Sequence, residues 1–249
     1  MTIVALHGFA GSGADWTPFE QELGRAVVAP DLLGHGAALA PSNSEAYRAA
    51  PMVKSVAEAL PPDGPVVLMG YSMGGRVALR LALQLGPRLC GLVLVSTQPG
   101  LEGSVERSER IASDHSVAGM IEERGVEWFC EFWADQPLIR SQQRIRADIR
   151  DGMRVRRAAN RSVGLAGSLR GFGQGSIEPV WSDLPSLHVP TLLVTGADDV
   201  RYTCIAERMV KLIPDAKHTI VQGAGHCVHL EAIGPTAAAV GSFISRVSG

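Results

Sequence analysis

Lysine is scarce in this chain. Lys54, Lys211 and Lys217 are the only three, against 20 arginines. The codon bias of a GC-rich genome explains that skew without any function. No excess of positive charge is present either: the formal net charge is −2, and nothing global marks a nucleic-acid or anionic-membrane partner. No apolar run approaches the roughly 18 residues that a membrane span needs. The four cysteines, Cys90, Cys130, Cys204 and Cys227, form no C-x-x-C pair and read as free thiols of a reducing compartment. The apolar run Thr2–Leu6 lacks a basic flank and is too short for a signal peptide, so a cytoplasmic protein is expected. Internal repeats are absent. The 249 residues are 46% hydrophobic, enough for a sizeable core in one domain, with or without an inserted lid.

Short apolar runs alternate with helical stretches. Strands are expected at residues 2–6, 25–29, 65–69, 91–95, 191–195 and 218–221, and helices at 15–24, 44–60, 76–85, 203–213 and 236–247. Continuous apolar strands separated by helices indicate α/β architecture, a mostly parallel sheet covered on both faces. The alternation stops between about Gly100 and Leu187, where helical periodicity runs through 104–122, 125–134 and 141–163. This places a sheet core at 1–99 and 188–249 and a helical lid insertion at 100–187, over the sheet edge where α/β proteins bind ligands. The glycine-rich stretch Gly164–Gly175 reads as a mobile loop closing the lid. With no lysine and no strand before it, it is not a phosphate loop.

Gly70-Tyr71-Ser72-Met73-Gly74 is a G-x-S-x-G pentapeptide between an apolar run and a helical one. Strand, sharp turn and helix are the setting of a nucleophile elbow. A serine needs a base, and the base an orienting acid. In the chain order Ser, Asp/Glu, His, the acid follows strand 191–195 in Gly196-Ala197-Asp198-Asp199, where the G-x-x-D spacing favours Asp199 and leaves Asp198 as a turn or cap residue. The base follows strand 218–221 in Gly223-Ala224-Gly225-His226, with His229 as competitor at the start of the last helix. An oxyanion needs two N–H donors. Met73, directly after Ser72, and Phe9, in the glycine-rich loop His7–Gly13, are the candidates. His7 reads as a brace of that loop, and His35, in the loop Asp31–Gly36, as structural.

Arg76 lies one helical turn after Ser72. A cation in the first turn of a helix opposes the macrodipole, so an anionic ligand beside Ser72 or a salt bridge to a nearby carboxylate must compensate. Arg80, one turn on, reads as a surface residue. Eight arginines lie between Arg140 and Arg161. They could steer an anion, but a solvated helix face explains them as well, and none is singled out.

The elbow, the His7-Gly8 loop and the acid-then-histidine order resemble the α/β-hydrolase superfamily across nearly the whole chain. Leu6–Trp16, Gly70–Arg76, Pro99-Gly100-Leu101 with Glu106–Arg110, Phe132–Leu138 and Gly164–Gly173 go further. They resemble the 2-succinyl-6-hydroxy-2,4-cyclohexadiene-1-carboxylate synthases of menaquinone biosynthesis. The resemblance implies a lyase without cofactor or metal that eliminates pyruvate from 2-succinyl-5-enolpyruvyl-6-hydroxy-3-cyclohexene-1-carboxylate. It implies that Ser72, activated by His226 and Asp199, acts as a base, with Phe9 and Met73 holding the developing oxyanion. It also implies that Arg76 and Arg110 bind carboxylates of the small tricarboxylate substrate, with Trp133 and Tyr71 against the ligand. From the residues alone, Arg110 also reads as an i,i+4 partner of Glu106, and Trp133 as lid core. Some family members carry an aromatic ligand contact where this chain has Ile139, so that contact is open here. Two rival functions remain on the sequence: a serine esterase or C–C-bond hydrolase with the same triad, and a non-catalytic ligand receptor.

Overall fold

The computed structural model describes residues 1–248. Six parallel strands form one sheet: β1 (Thr2–Leu6), β2 (Val27–Val28), β3 (Val66–Tyr71), β4 (Leu89–Val95), β5 (Thr191–Gly196) and β6 (Ala216–Val221). Their spatial order is β2-β1-β3-β4-β5-β6. Alternate residues along each strand face opposite sides. Val4, Leu6, Leu68, Leu92 and Leu94 pack against α2 (Ala49–Ala59), α3 (Met73–Leu85) and α8 (Val200–Val210). Ile3, Ala5, Val67, Met69 and Val93 pack against α1 (Thr17–Leu23), α9 (Val228–Glu231) and α10 (Ile233–Val247). Both faces are covered, which is why these strands read as unbroken apolar runs.

The order in which strands are added reverses between β1 and β3, which pair in parallel from Thr2↔Val66 to Leu6↔Gly70. Ligands bind beyond the carboxyl ends of strands at such a switch point. The loop after β1 and the turn after β3 therefore meet there.

Between β4 and β5 the described residues contain no strand. The segment holds α4 (Ser104–Ala134), α5 (Pro137–Arg140), α6 (Ala147–Ala158) and α7 (Ser162–Phe172). Helix α4 bends at Gly125, whose φ of 84° suits glycine. It packs on α7 through Ala118, Ile121, Phe129, Leu165, Ala166 and Leu169.

Several expectations need correction. Gly164–Gly175 is not a loop: most of it is α7. Glycine disfavours a helix interior by about 1 kcal/mol, but here a close approach overrides the propensity. Gly164, Gly167 and Gly171 lie on one helical face, where a Cβ would collide with the Gly34 backbone, the Tyr47 ring and the Ser44 carbonyl. The strand expected at 25–29 shrinks to Val27–Val28. The helix expected from Ser44 begins at Ala49, after a separate turn at Ser44–Tyr47. The periodicity over 141–163 divides into a turn at Ser141–Arg144, α6 and the start of α7.

Candidate active site

Ser72 stands between β3 and α3 with φ 51° and ψ −109°. This strained backbone is held from both sides: Ser72 N–H donates to Val95 O at 2.9 Å, and Thr97 Oγ1 donates to Ser72 O at 2.7 Å. A Cβ at Gly70 would strike the Gly74 carbonyl, and one at Gly74 the Leu6 carbonyl. The pentapeptide glycines thus let strand, helix and β1 close around the serine.

His226 lies on the loop after β6, and Asp199 caps α8 after β5. His226 Nε2 is 3.0 Å from Ser72 Oγ, and His226 Nδ1 is 2.6 Å from Asp199 Oδ2. An ionised Asp199 can only accept, so Nδ1 carries the proton and Nε2 is left to accept from the serine hydroxyl. The histidine and the aspartate are both buried. The rings of Tyr71 and Tyr202 flank His226 at 5.3 and 4.5 Å. Asp198 is the turn residue of the two alternatives, not the cap, and it pairs with Arg144 of the helical segment. His229 takes no part in this relay: it stacks on Trp16 at 4.4 Å and packs against the Tyr71 ring at 4.6 Å, and burial lowers its pKa to about 3.

Around the serine lies a cavity of about 390 Å³, within the range of small-molecule sites. Phe9, Tyr71, Ser72, Met73, Arg76, Arg110, Trp133 and His226 all line it. Asp199 stands behind His226. Trp133 has two contacts at once, edge-to-face with Phe9 at 5.3 Å and stacked with Phe129 at 5.4 Å, so it belongs to the apolar core of the helical segment as well as to the cavity wall. Ile139 also lines the cavity, where it offers only an apolar surface.

The charge in this cavity is its distinctive feature. Arg76 is only 6% exposed, yet it forms no salt bridge among the described residues, and its Nε and Nη1 have no hydrogen-bond partner. The Phe172 ring lies 5.4 Å from the guanidinium carbon, and the Asp114 carboxylate acts on that guanidinium through space without a direct contact. Burial lowers its pKa to about 10, which still leaves it charged. The salt bridge that would have balanced Arg76 is therefore absent. Arg110 does not pair with Glu106: its Nε donates to Asp114 Oδ1 at 2.8 Å and its Nη1 to Gln174 Oε1 at 2.7 Å. Gln174 in turn donates to the Tyr202 hydroxyl at 3.1 Å. Burial pushes the Asp114 carboxyl up, against the pull of Arg110.

Arg157 was not singled out in the sequence, and it is a second buried guanidinium in the cavity wall, beside Arg76 and the half-buried Arg110. Its Nη2 donates to Gln142 Oε1 at 3.1 Å, and its Nε has no partner. One signal was readable: Ile149, Met153 and Arg157 are the buried residues of α6, at i, i+4 and i+8 on its apolar stripe. Arg80 is a correction of the opposite kind. It is buried, not at the surface, and donates to the Arg76 and Glu178 carbonyls. His7 and His35 are both buried and lie outside the triad. His7 Nε2 accepts from Leu32 N–H at 2.9 Å, tying the loop after β1 to the loop at 31–36.

Residues 3–239 match the α/β-hydrolase family. A protein of Bacillus subtilis (strain 168), provisionally named a 2-succinyl-6-hydroxy-2,4-cyclohexadiene-1-carboxylate synthase, is 40% identical over 92% of this chain and 85% of its own length. The synthase of that name from Salmonella paratyphi C (strain RKS4594) is 30% identical over 92% of this chain and 88% of its own.

The chain belongs to the α/β-hydrolase family, among these synthases.

The solved structure of MenH from S. aureus superposes with a TM-score of 0.94 at 28% identity, covering 100% of this chain and 95% of that one. A thermophilic esterase from Thermogutta terrifontis, 24% identical with a TM-score of 0.83, shares the α/β-hydrolase fold. That fold therefore does not choose the reaction, and the cavity must.

Proposed function

We propose that the protein eliminates pyruvate from 2-succinyl-5-enolpyruvyl-6-hydroxy-3-cyclohexene-1-carboxylate, yielding 2-succinyl-6-hydroxy-2,4-cyclohexadiene-1-carboxylate in menaquinone biosynthesis. The observation that carries this reading is Arg76: a buried cation beside Ser72 with no protein acceptor for its Nε and Nη1. Guanidinium groups fit carboxylates in bidentate geometry, and the substrate brings three. Arg76, Arg110 and Arg157, all in the cavity wall, are the matching cations. An uncharged ester would leave Arg76 buried without a counter-ion, at a cost of several kcal/mol.

In this reading Ser72 is the base. Its proton passes to His226 Nε2, while Asp199 stabilises the resulting imidazolium through Nδ1. The serine oxygen takes the proton from ring carbon 2, next to the succinyl ketone. The electron pair moves toward the ketone oxygen, held by the N–H groups of Phe9 and Met73 at the N-terminus of α3. It then returns into the ring, the double bonds shift to carbons 2 and 4, and the bond from carbon 5 to the enolpyruvyl oxygen breaks. The enolate takes up the proton and leaves as pyruvate. No bond forms between Ser72 and substrate, and no cofactor enters. Residues 100–187 act as a lid that supplies Arg110, Trp133 and Arg157. The four unpaired thiols fit a reducing, cytoplasmic setting.

The test is pyruvate release from the enolpyruvyl substrate. One equivalent of pyruvate per product is expected. No release, together with rapid turnover of an uncharged p-nitrophenyl ester, would replace this reading with a serine esterase.

A further inference from the structure

Asn160 lies in the turn between α6 and α7, is only 6% exposed, and has no part in the reaction above. Its side-chain amide joins three segments. Nδ2 donates to Ala10 O at 3.2 Å and to Arg157 O at 3.1 Å, while Oδ1 accepts from Gly36 N–H at 2.9 Å. Ala10 directly follows Phe9 and holds φ at 60°, a left-handed conformation that costs a non-glycine residue about 1–2 kcal/mol. Such a conformation persists only where its surroundings hold it. Arg156, four residues earlier, adds a second tie: its Nε donates to Asp15 Oδ1 at 2.7 Å, and Asp15 Oδ2 accepts from Ser12 N–H at 3.0 Å. The helical segment thus grips the loop after β1 at both ends of its strained turn.

We infer that Asn160 is a positioning residue that, with Arg156, clamps the Phe9–Ser12 turn so that Phe9 N–H points at the developing oxyanion. The inference rests on the proposed role of Phe9. The site needs a donor toward Ala10 and an acceptor toward Gly36 from one neutral side chain, and an amide supplies both. Aspartate has the same shape but no donor, so Asn160→Asp breaks the Ala10 tie and spares the Gly36 tie.

The experiment pairs amide hydrogen exchange with steady-state kinetics on the full chain. In Asn160→Ala and Asn160→Asp, exchange across residues 8–13 is expected to accelerate about tenfold or more, with the β3 and β4 amides unchanged. In pyruvate release, kcat is expected to fall about tenfold or more with KM within about threefold, because an oxyanion donor acts in the transition state. Ala10→Gly removes the backbone strain, so it is expected to shrink the kcat loss caused by Asn160→Ala. Unchanged exchange at residues 8–13 overturns the inference whatever the enzyme does. So does a general rise in exchange across the sheet, which marks a purely structural role. If wild-type enzyme releases no pyruvate while the loop responds as described, the reaction assigned above fails and the clamp stands.

Discussion

The sheet edge and the helical segment meet at Ser72 and contribute opposite kinds of parts. The loops after β3, β5 and β6 bring a relay whose members satisfy one another: Ser72 to His226 at 3.0 Å and His226 to Asp199 at 2.6 Å. α4 and α6 bring Arg110 and Arg157, and beside them stands Arg76, whose Nε and Nη1 meet no protein acceptor. A complete relay states that a proton can be moved. Incompletely paired buried cations state what must arrive before it is moved. The comparison teaches that the second region narrows the reaction, since the first is equally suited to an esterase.

The sharpest way to break the comparison is to remove the base. Ser72→Ala is expected to lower kcat about 10²–10⁴-fold with little change in KM. A loss under about tenfold would move the proton acceptor out of the relay. Arg76→Met tests the other side. Losing charge-assisted hydrogen bonds of about 1.5–3 kcal/mol is expected to raise KM about 10–100-fold. The same substitution is expected to raise thermal stability by about 1 kcal/mol or more, because it replaces a buried unpaired charge with an apolar side chain. Arg110→Ala should also raise KM but lower the melting temperature, since it strands the buried Asp114 carboxylate. Equal signs in the two melting curves would dissolve the distinction between a paired and an unpaired arginine.

Two smaller effects probe the framework. Gly167→Leu would drive a side chain into the Tyr47 ring, and about 1–3 kcal/mol of destabilisation is expected from denaturant unfolding. Burial pushes the His229 imidazole down to a pKa of about 3, from the ordinary value of 6.5. Between these values the unfolded state binds more protons, so stability should rise with pH from about 5 to 6.5. His229→Phe is expected to flatten that slope by up to about 1.4 kcal/mol per pH unit. An unchanged slope would mean that His229 is not buried neutral.

What could be read in advance follows the range of the interactions. The sheet was visible because strands buried on both faces carry their pattern within a few residues. Ser72 and Asp199 lie just beyond such strands and His226 beyond the half-exposed edge strand β6, so order and spacing sufficed to nominate them. Arg76 was visible as a conflict, a cation in the first turn of a helix. Gln174 and Asn160 carried no local signal, because their partners lie 28 and 150 residues away and only folding brings them together, whereas Asp114 is an i,i+4 partner of Arg110 on one helix and competed locally with Glu106. α7 was misread because glycine's local cost argues against a helix, whereas the fit against Gly34 and Tyr47 argues for one.

The central claim is that Ser72 accepts a proton and forms no ester. Intact-mass analysis of the enzyme, quenched during steady turnover of the enolpyruvyl substrate, tests it most directly. The account predicts an unmodified chain while pyruvate accumulates. A covalent adduct on Ser72 that forms and decays at the rate of turnover would contradict it.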